Sequence, residues 1–185
     1  MSVIYVVRHG QDQDNANHIL NGHRNESLTP IGREQAKTTG VRLRDKEIDF
    51  VYASPTLRTR QTAEIIAEIV GLETIGIEAD LIERDFGVLT GKPVADIPKY
   101  CKKFFVGDRI NYFLEGEGVE SFPKLLTRVK RLIKKIVARH PTDNVLLVTH
   151  GDAGKMIEAA WYGWTWEQAL MTPYFENADI IELKK

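Results

Sequence analysis

Arg8, His9 and Gly10 close the apolar run from Val3 to Val7. The run reads as a buried parallel strand. It therefore sets a guanidinium beside an imidazole at a strand's carboxyl end, where open α/β sheets bind ligands. That pair suits phosphoryl transfer to histidine: a ring nitrogen attacks phosphorus while the guanidinium forks onto its oxygens. Arg58 follows Ser54-Pro55-Thr56-Leu57 and falls in the first turn of a helix expected to run to about Val70, which makes it a second anion fork. His150 and Gly151 end another apolar strand, Val145 to Thr149. Glu83 offers a carboxyl group on a loop. Asn15, Asn21 and Gly22 lie on the loop after His9, with amide side chains and backbone N-H groups to offer.

A phosphoryl group in transfer spreads its charge over three oxygens, so catalysis is mostly positioning and positive electrostatics. Arg8, Arg58, a protonated His150 and backbone amides would supply the charge. His9 must be neutral to attack. Histidine ordinarily ionises near pH ~6.5, so neighbours must hold one ring neutral and the other cationic. A leaving alkoxide needs a proton, which Glu83 would give and later regain from water; burial is required to keep that carboxyl protonated.

Positioning these groups requires strands alternating with helices. The pattern predicts strands at 2–7, 49–53, 74–78, 144–149 and 178–183 and helices at 30–44, 56–70, 121–139 and 152–162. Together they make a three-layer α/β/α sandwich with a mostly parallel central sheet. Right-handed crossovers place both histidine loops on one sheet edge. The chain, 1–185, is read as a single domain with a cap insertion at about 91–118, where Pro93, Pro98, Gly107, Gly116 and Gly118 break the rhythm around a helical stretch near Ala95 to Phe105. Lys99, Lys102, Lys103, Phe104, Phe105, Arg109, Tyr112 and Phe113 would carry substrate choice there.

Composition is that of a globular chain, 43% hydrophobic and 28% charged, with formal net charge -1. No segment approaches the ~20 apolar residues of a membrane span, and the start lacks a secretory pattern, so the expected location is cytoplasmic. The sole cysteine, Cys101, allows no internal disulfide. Helix 121–139 has a basic face, read as solubility and not as a nucleic-acid surface. His18 and His23 lack metal-ligand spacing and read as solvated or substrate-facing, and His140 ends a helix. Trp161, Trp164 and Trp166 pack around the turn at Gly163 or against a partner chain, which leaves a homodimer open.

Taken in order, Arg8-His9-Gly10, Leu28-Thr29-Pro30 with Gly32 and Gln35-Ala36, Ser54-Pro55 with Arg58 and Gln61-Thr62-Ala63, Glu83, and His150-Gly151 resemble the histidine phosphatase superfamily, phosphoglycerate-mutase-like branch, over nearly the whole chain. The resemblance implies that His9 is the phosphorylated nucleophile, that Arg8, Arg58 and His150 complete the phosphate pocket, and that Glu83 is the proton donor. It also implies substrate contacts from Asn15, Asn21, Gly22, Arg84 and Gly151, a small phosphorylated substrate, and neither metal nor other cofactor.

Departures favour a phosphomonoesterase over a cofactor-dependent mutase. Phe86 stands at the mutase Tyr position, Val94 at the Lys position, and Arg109 has no paired arginine. Asp12 replaces the usual Ser or Thr and would repel phosphate unless it points away or meets a cation; Lys155 replaces a common Arg. Gly116-Glu117-Gly118 resembles the alpha-ribazole and broad-specificity small phosphatases. A phosphoglycerate mutase and a non-catalytic phospho-ligand binding module remain the alternatives.

Overall fold

Two strands buried at every position form the centre of the protein: β1 (Ile4–Arg8) and β6 (Val145–Thr149). A parallel strand covered on both faces needs such continuous apolar sequence. The computed structural model describes residues 3–184, so Ser2, the expected start of the first strand, lies outside them. β1 and β6 pair in parallel with Arg8 opposite Thr149. That register sets His9 next to His150. β2 (Phe50–Ala53) lies against β6, β3 (Ile75–Ile77) against β2, and β7 (Ile180–Leu183) runs antiparallel along β1. The strand order is β3-β2-β6-β1-β7.

Alternate side chains of each strand face opposite layers. Tyr5, Val7, Leu146 and Val148 pack with α2 (Pro30–Leu43) and α3 (Leu57–Val70), whereas Ile4, Val6, Val145 and Leu147 pack with α5 (Phe122–Arg139) and α6 (Gly151–Tyr162). Burying each large aliphatic side chain contributes about 1.5–3 kcal/mol. α5 buries the expected stripe from Phe122 to Ile136 and turns its lysines and arginines outward, except Arg128, which is half-buried and donates to the Asp80, Ile82 and Glu83 carbonyls. His140 caps it and bonds Tyr52 Oη and Asp143, tying the helix end to the sheet.

Smaller elements follow local chemistry. In α1 (Gln13–Ala16), Asp12 accepts from the Asn15 N-H while the Asn15 side chain reaches back to the Asp12 N-H, a reciprocal cap. The cap segment differs from the expected helix at 95–105: a tight turn at Val94–Asp96 leads into α4 (Ile97–Tyr100), and then β4 (Phe104–Val106) pairs antiparallel with β5 (Asn111–Phe113). The hairpin wins because its inward residues have aromatic partners. Phe105 meets Trp166 at 5.4 Å, and Tyr112 meets Phe122 at 5.8 Å. Trp166 opens α7 (Trp166–Leu170) and stacks on Phe122, Trp164 stacks on Tyr162, and Trp161 Nε1 donates to the Lys184 carbonyl. All three tryptophans thus have partners within the chain.

Candidate active site

His9 leaves β1 as its N-H bonds the Thr149 carbonyl of β6, so the ladder itself fixes the residue. Its Nδ1 lies 2.7 Å from the Gly10 carbonyl. A carbonyl only accepts, so Nδ1 carries the proton and Nε2 holds the lone pair. Gly10 is needed for close approach rather than for a left-handed turn. A Cβ there would strike the Gly32 carbonyl, and one on Gly32 would strike the Gln11 carbonyl. The loop after β1 and the first turn of α2 are thus pressed backbone to backbone.

Arg58, almost wholly buried, projects from the first turn of α3. Its Nε lies 3.3 Å from His9 Nε2 and 3.3 Å from Asp12 Oδ2. Nη1 donates to the Arg24 carbonyl at 2.6 Å, and Nη2 donates to the Gly22 carbonyl at 2.8 Å and His150 Nδ1 at 3.1 Å. Arg8 Nη1 donates to Tyr174 Oη at 2.9 Å and to the Phe175 carbonyl at 2.6 Å. Arg8 Nε is buried with no hydrogen-bond partner among the described residues. A buried guanidinium N-H left over in this way is a ready donor for an anion.

Burial, then the charges of Arg58 and Arg8, hold the His9 imidazole well below its ordinary pKa. This is what a nucleophilic ring requires. His150 is held low by burial, Arg58 and His9 in turn, and it accepts from Arg58 at Nδ1 while Nε2 meets Ser54 Oγ at 2.8 Å. The expected protonated His150 is therefore corrected: a ring that accepts a guanidinium proton at Nδ1 and donates at Nε2 is neutral. The fixed positive charge of the pocket comes from the two arginines.

Glu83 is buried at the N-terminus of α6. Oε1 accepts from the Arg84 and Ala153 N-H groups at 2.8 and 3.0 Å, and Oε2 from the Asp152 N-H at 3.2 Å. Burial and the nearby Asp152 carboxylate push its pKa up against those backbone bonds and the charge of Arg8. A carboxyl group raised in this way can carry a proton to a leaving oxygen.

A cavity of about 260 Å³ is lined by His9, Arg8, Arg58 and Glu83 together with Asn15, Asn21, Gly22, Arg84 and Gly151. His150 lies against it, its ring centroid 5.2 Å from that of His9. Asn15 accepts from Asn177 Nδ2. Asn21 Nδ2 donates to Asp12 Oδ2, and the Gly22 carbonyl anchors Arg58. Arg84 is committed elsewhere. Its Nε donates to Asp152 at 2.7 Å, and its guanidinium sits 5.2, 4.1 and 4.3 Å over the rings of Phe86, Phe113 and Phe122. It holds Asp152 in place while still lining the cavity.

The cap lysines also depart from expectation. Lys99 pairs with Asp96, Lys102 with the Pro98 carbonyl and Lys103 with Glu115, and the cavity lining includes none of them. Tyr112 and Phe113 do line it, with Ile97 and Ile110. Asp12 does not repel the pocket unopposed: it meets Arg58, Asn21 and the Asn15 N-H.

Sequence reasoning missed Tyr174 and Asn177. Both sit on the irregular chain between α7 and β7, where Tyr174 braces Arg8 and Asn177 Nδ2 bonds the His9 carbonyl at 3.0 Å. No periodicity marks that segment, so their contacts with the site could not be read before the fold was known.

The sequence profile of the histidine phosphatase superfamily, branch 1, matches residues 4–184. The chain is 34% identical over 152 residues to phosphoglycerate mutase-like protein 4 of Arabidopsis thaliana, covering 80% of this chain and 66% of that one. It is 32% identical over 158 residues to a broad-specificity phosphatase of Saccharomyces cerevisiae, covering 83% and 67%. Mycobacterial glucosyl-3-phosphoglycerate phosphatase, solved with VO3, shares the fold with a TM-score of 0.84 at 21% identity, over 98% of this chain and 90% of that one. With the profile spanning nearly every residue and its motifs meeting around one cavity, this chain belongs to the histidine phosphatase superfamily.

Proposed function

We propose that the protein is a phosphomonoesterase that hydrolyses a small phosphorylated metabolite through a phosphohistidine on His9. The observation that carries the reading is the His9 Nδ1 bond to the Gly10 carbonyl, which leaves the Nε2 lone pair beside Arg58. In the first step an Nε2–P bond forms as the ester O–P bond breaks, and Glu83 passes its proton to the leaving alkoxide. In the second, water attacks phosphorus, returns a proton to Glu83, and the N–P bond breaks to release inorganic phosphate. Arg8 and Arg58 stabilise the equatorial oxygens in both steps. Because their charge is permanent, no metal ion is required.

Hydrolysis is favoured over mutase chemistry because the groups that would re-grip a bisphosphorylated intermediate are missing or engaged: Phe86 lines the cavity without a hydroxyl. Phe86 packs on Phe113, and Arg109 pairs with Glu176. The testing experiment is phosphate release from a set of phosphorylated metabolites with and without a strong chelator, run beside a mutase assay primed with 2,3-bisphosphoglycerate. Chelator-resistant release exceeding any mutase rate is expected. A mutase rate above hydrolysis would reverse the assignment, and loss of activity on chelation restored by a divalent ion would contradict the arginine-based pocket.

A further inference from the structure

Beside its polar lining, which includes Asn111 and Tyr174, the cavity has a hydrocarbon wall. Ile19 and Leu20, on the loop after α1, and Val94, Ile97 and Ile110, on the cap segment, all line it. Val94 and Ile110 are 46% and 37% exposed, so they face water that an apolar group would displace. The wall is held by backbone: Leu20 N-H bonds the Lys92 carbonyl at 2.8 Å, Val94 N-H bonds the His18 carbonyl at 2.9 Å, and Ile19 bridges Pro93.

Beyond Arg8 and Arg58, the arginine and lysine charges of the lining are already paired with carboxylates. Lys155 Nζ donates to the Pro173 carbonyl at 2.8 Å and to Thr172 Oγ1, and it sits 4.0 Å from Glu158. Arg84 is held by Asp152. Glu83 and Asp152 both line the cavity. Asn21 Oδ1 is a buried acceptor with no partner among the described residues, which a hydroxyl would satisfy and a carboxylate would not.

We infer that the leaving group is a neutral, largely apolar alcohol or phenol, so that the phosphate is the only anion of the substrate. This rests on the phosphomonoesterase reading and narrows it. A substrate carboxylate would have to shed water against aliphatic side chains and two protein carboxyl groups, with Arg84 and Lys155 already paired to Asp152 and Glu158. An alkyl or aryl body would instead cover Val94, Ile110 and their neighbours.

The test compares kcat/KM for methyl, propyl and pentyl phosphate and for phenyl phosphate with that for phosphoserine and 3-phosphoglycerate. The alkyl series should rise about 4-fold per methylene, the equivalent of ~0.8 kcal/mol per buried CH2. Both acids should fall at least ~10-fold below propyl phosphate, because their carboxylate would remain unpaired. Ile110→Lys should shift the acid-to-alkyl ratio toward the acids by about 5-fold, a modest ion pair's effect. The ratio is read within one sample, so partial unfolding does not disturb it. A flat alkyl series, acids turned over as well as propyl phosphate, or an unmoved ratio in the variant would overturn the inference. No release from any ester, phenyl phosphate included, would instead overturn the phosphomonoesterase reading beneath it.

Discussion

Asp12 Oδ2 lies 3.3 Å from Arg58 Nε, the same nitrogen that stands 3.3 Å from His9 Nε2. A buried carboxylate therefore shares the phosphate-facing guanidinium with the nucleophile. Burial pulls the Arg58 pKa down, and Asp12 is the leading charge that restores it; Asp12 is itself pushed up by burial and opposed by the Asn15 N-H and Arg58. The pairing aims Arg58 and offsets one of the pocket's two fixed positive charges.

Asp12→Asn should bind inorganic phosphate at least ~10-fold more tightly, since removing a nearby buried negative charge is worth more than 1.4 kcal/mol at the effective dielectric of such sites. It should also turn over more slowly, because Arg58 loses its side-chain anchor and product leaves late. The check is the phosphate inhibition constant measured beside kcat. A lower folded fraction with an unchanged inhibition constant would reduce Asp12 to a structural residue.

Gly151 opens α6 at the cavity, and a Cβ there would stand 3.7 Å from Arg8 Nε and 3.7 Å from Glu83 Oε2. Those are ordinary contact distances, so Gly151→Ala should fold with an unchanged melting temperature. Its methyl would nevertheless occupy the space between the unpartnered Arg8 N-H and the proton donor, costing about 10²-fold in kcat/KM by displacing the phosphoryl group. Thermal melting and kinetics on the same preparation separate the two effects. Wild-type kinetics would show that the phosphoryl group sits elsewhere.

Glu83→Gln should slow an alkyl phosphate by roughly 10²–10⁴-fold while an aryl phosphate still phosphorylates His9, because a phenolate leaves without a proton. The wild-type pH profile follows from the same carboxyl. Its protonated form is the active one and its pKa is raised, so alkyl-ester kcat/KM should decline as pH rises through that raised value. The opposing acid limb belongs to His9, whose low pKa keeps the ring neutral below pH ~6.5. Profiles for alkyl and aryl esters should therefore diverge on the alkaline side only. Superimposable profiles, together with equal losses in the Gln variant, would remove Glu83 as the acid.

Much of this site was legible in the sequence because strand ends are. The apolar runs before Arg8-His9 and before His150 fixed two buried strands, and the parallel pairing of β1 with β6 then brought the histidines together. What escaped was contact across the fold. Asp12 read as a liability because its partner, Arg58, lies 46 residues on, and the clamp of Arg84 on Asp152 spans 68 residues and left no mark in the sequence. The hairpin was in principle readable: Phe104 to Phe113 carries two short β-prone triplets around Gly107 to Ile110, a four-residue loop. The helical reading of 95–105 obscured it.

Trapping the phosphoenzyme tests the central claim most directly. Wild-type protein quenched during turnover of a labelled phosphomonoester should carry one acid-labile, base-stable phosphoryl group, mapping to His9 and attached at Nε2. His9→Ala should bind phosphate yet release none from substrate, because Arg8, Arg58 and His150 supply no replacement nucleophile. Label on another residue, or turnover by His9→Ala at the wild-type rate, would contradict covalent catalysis at His9.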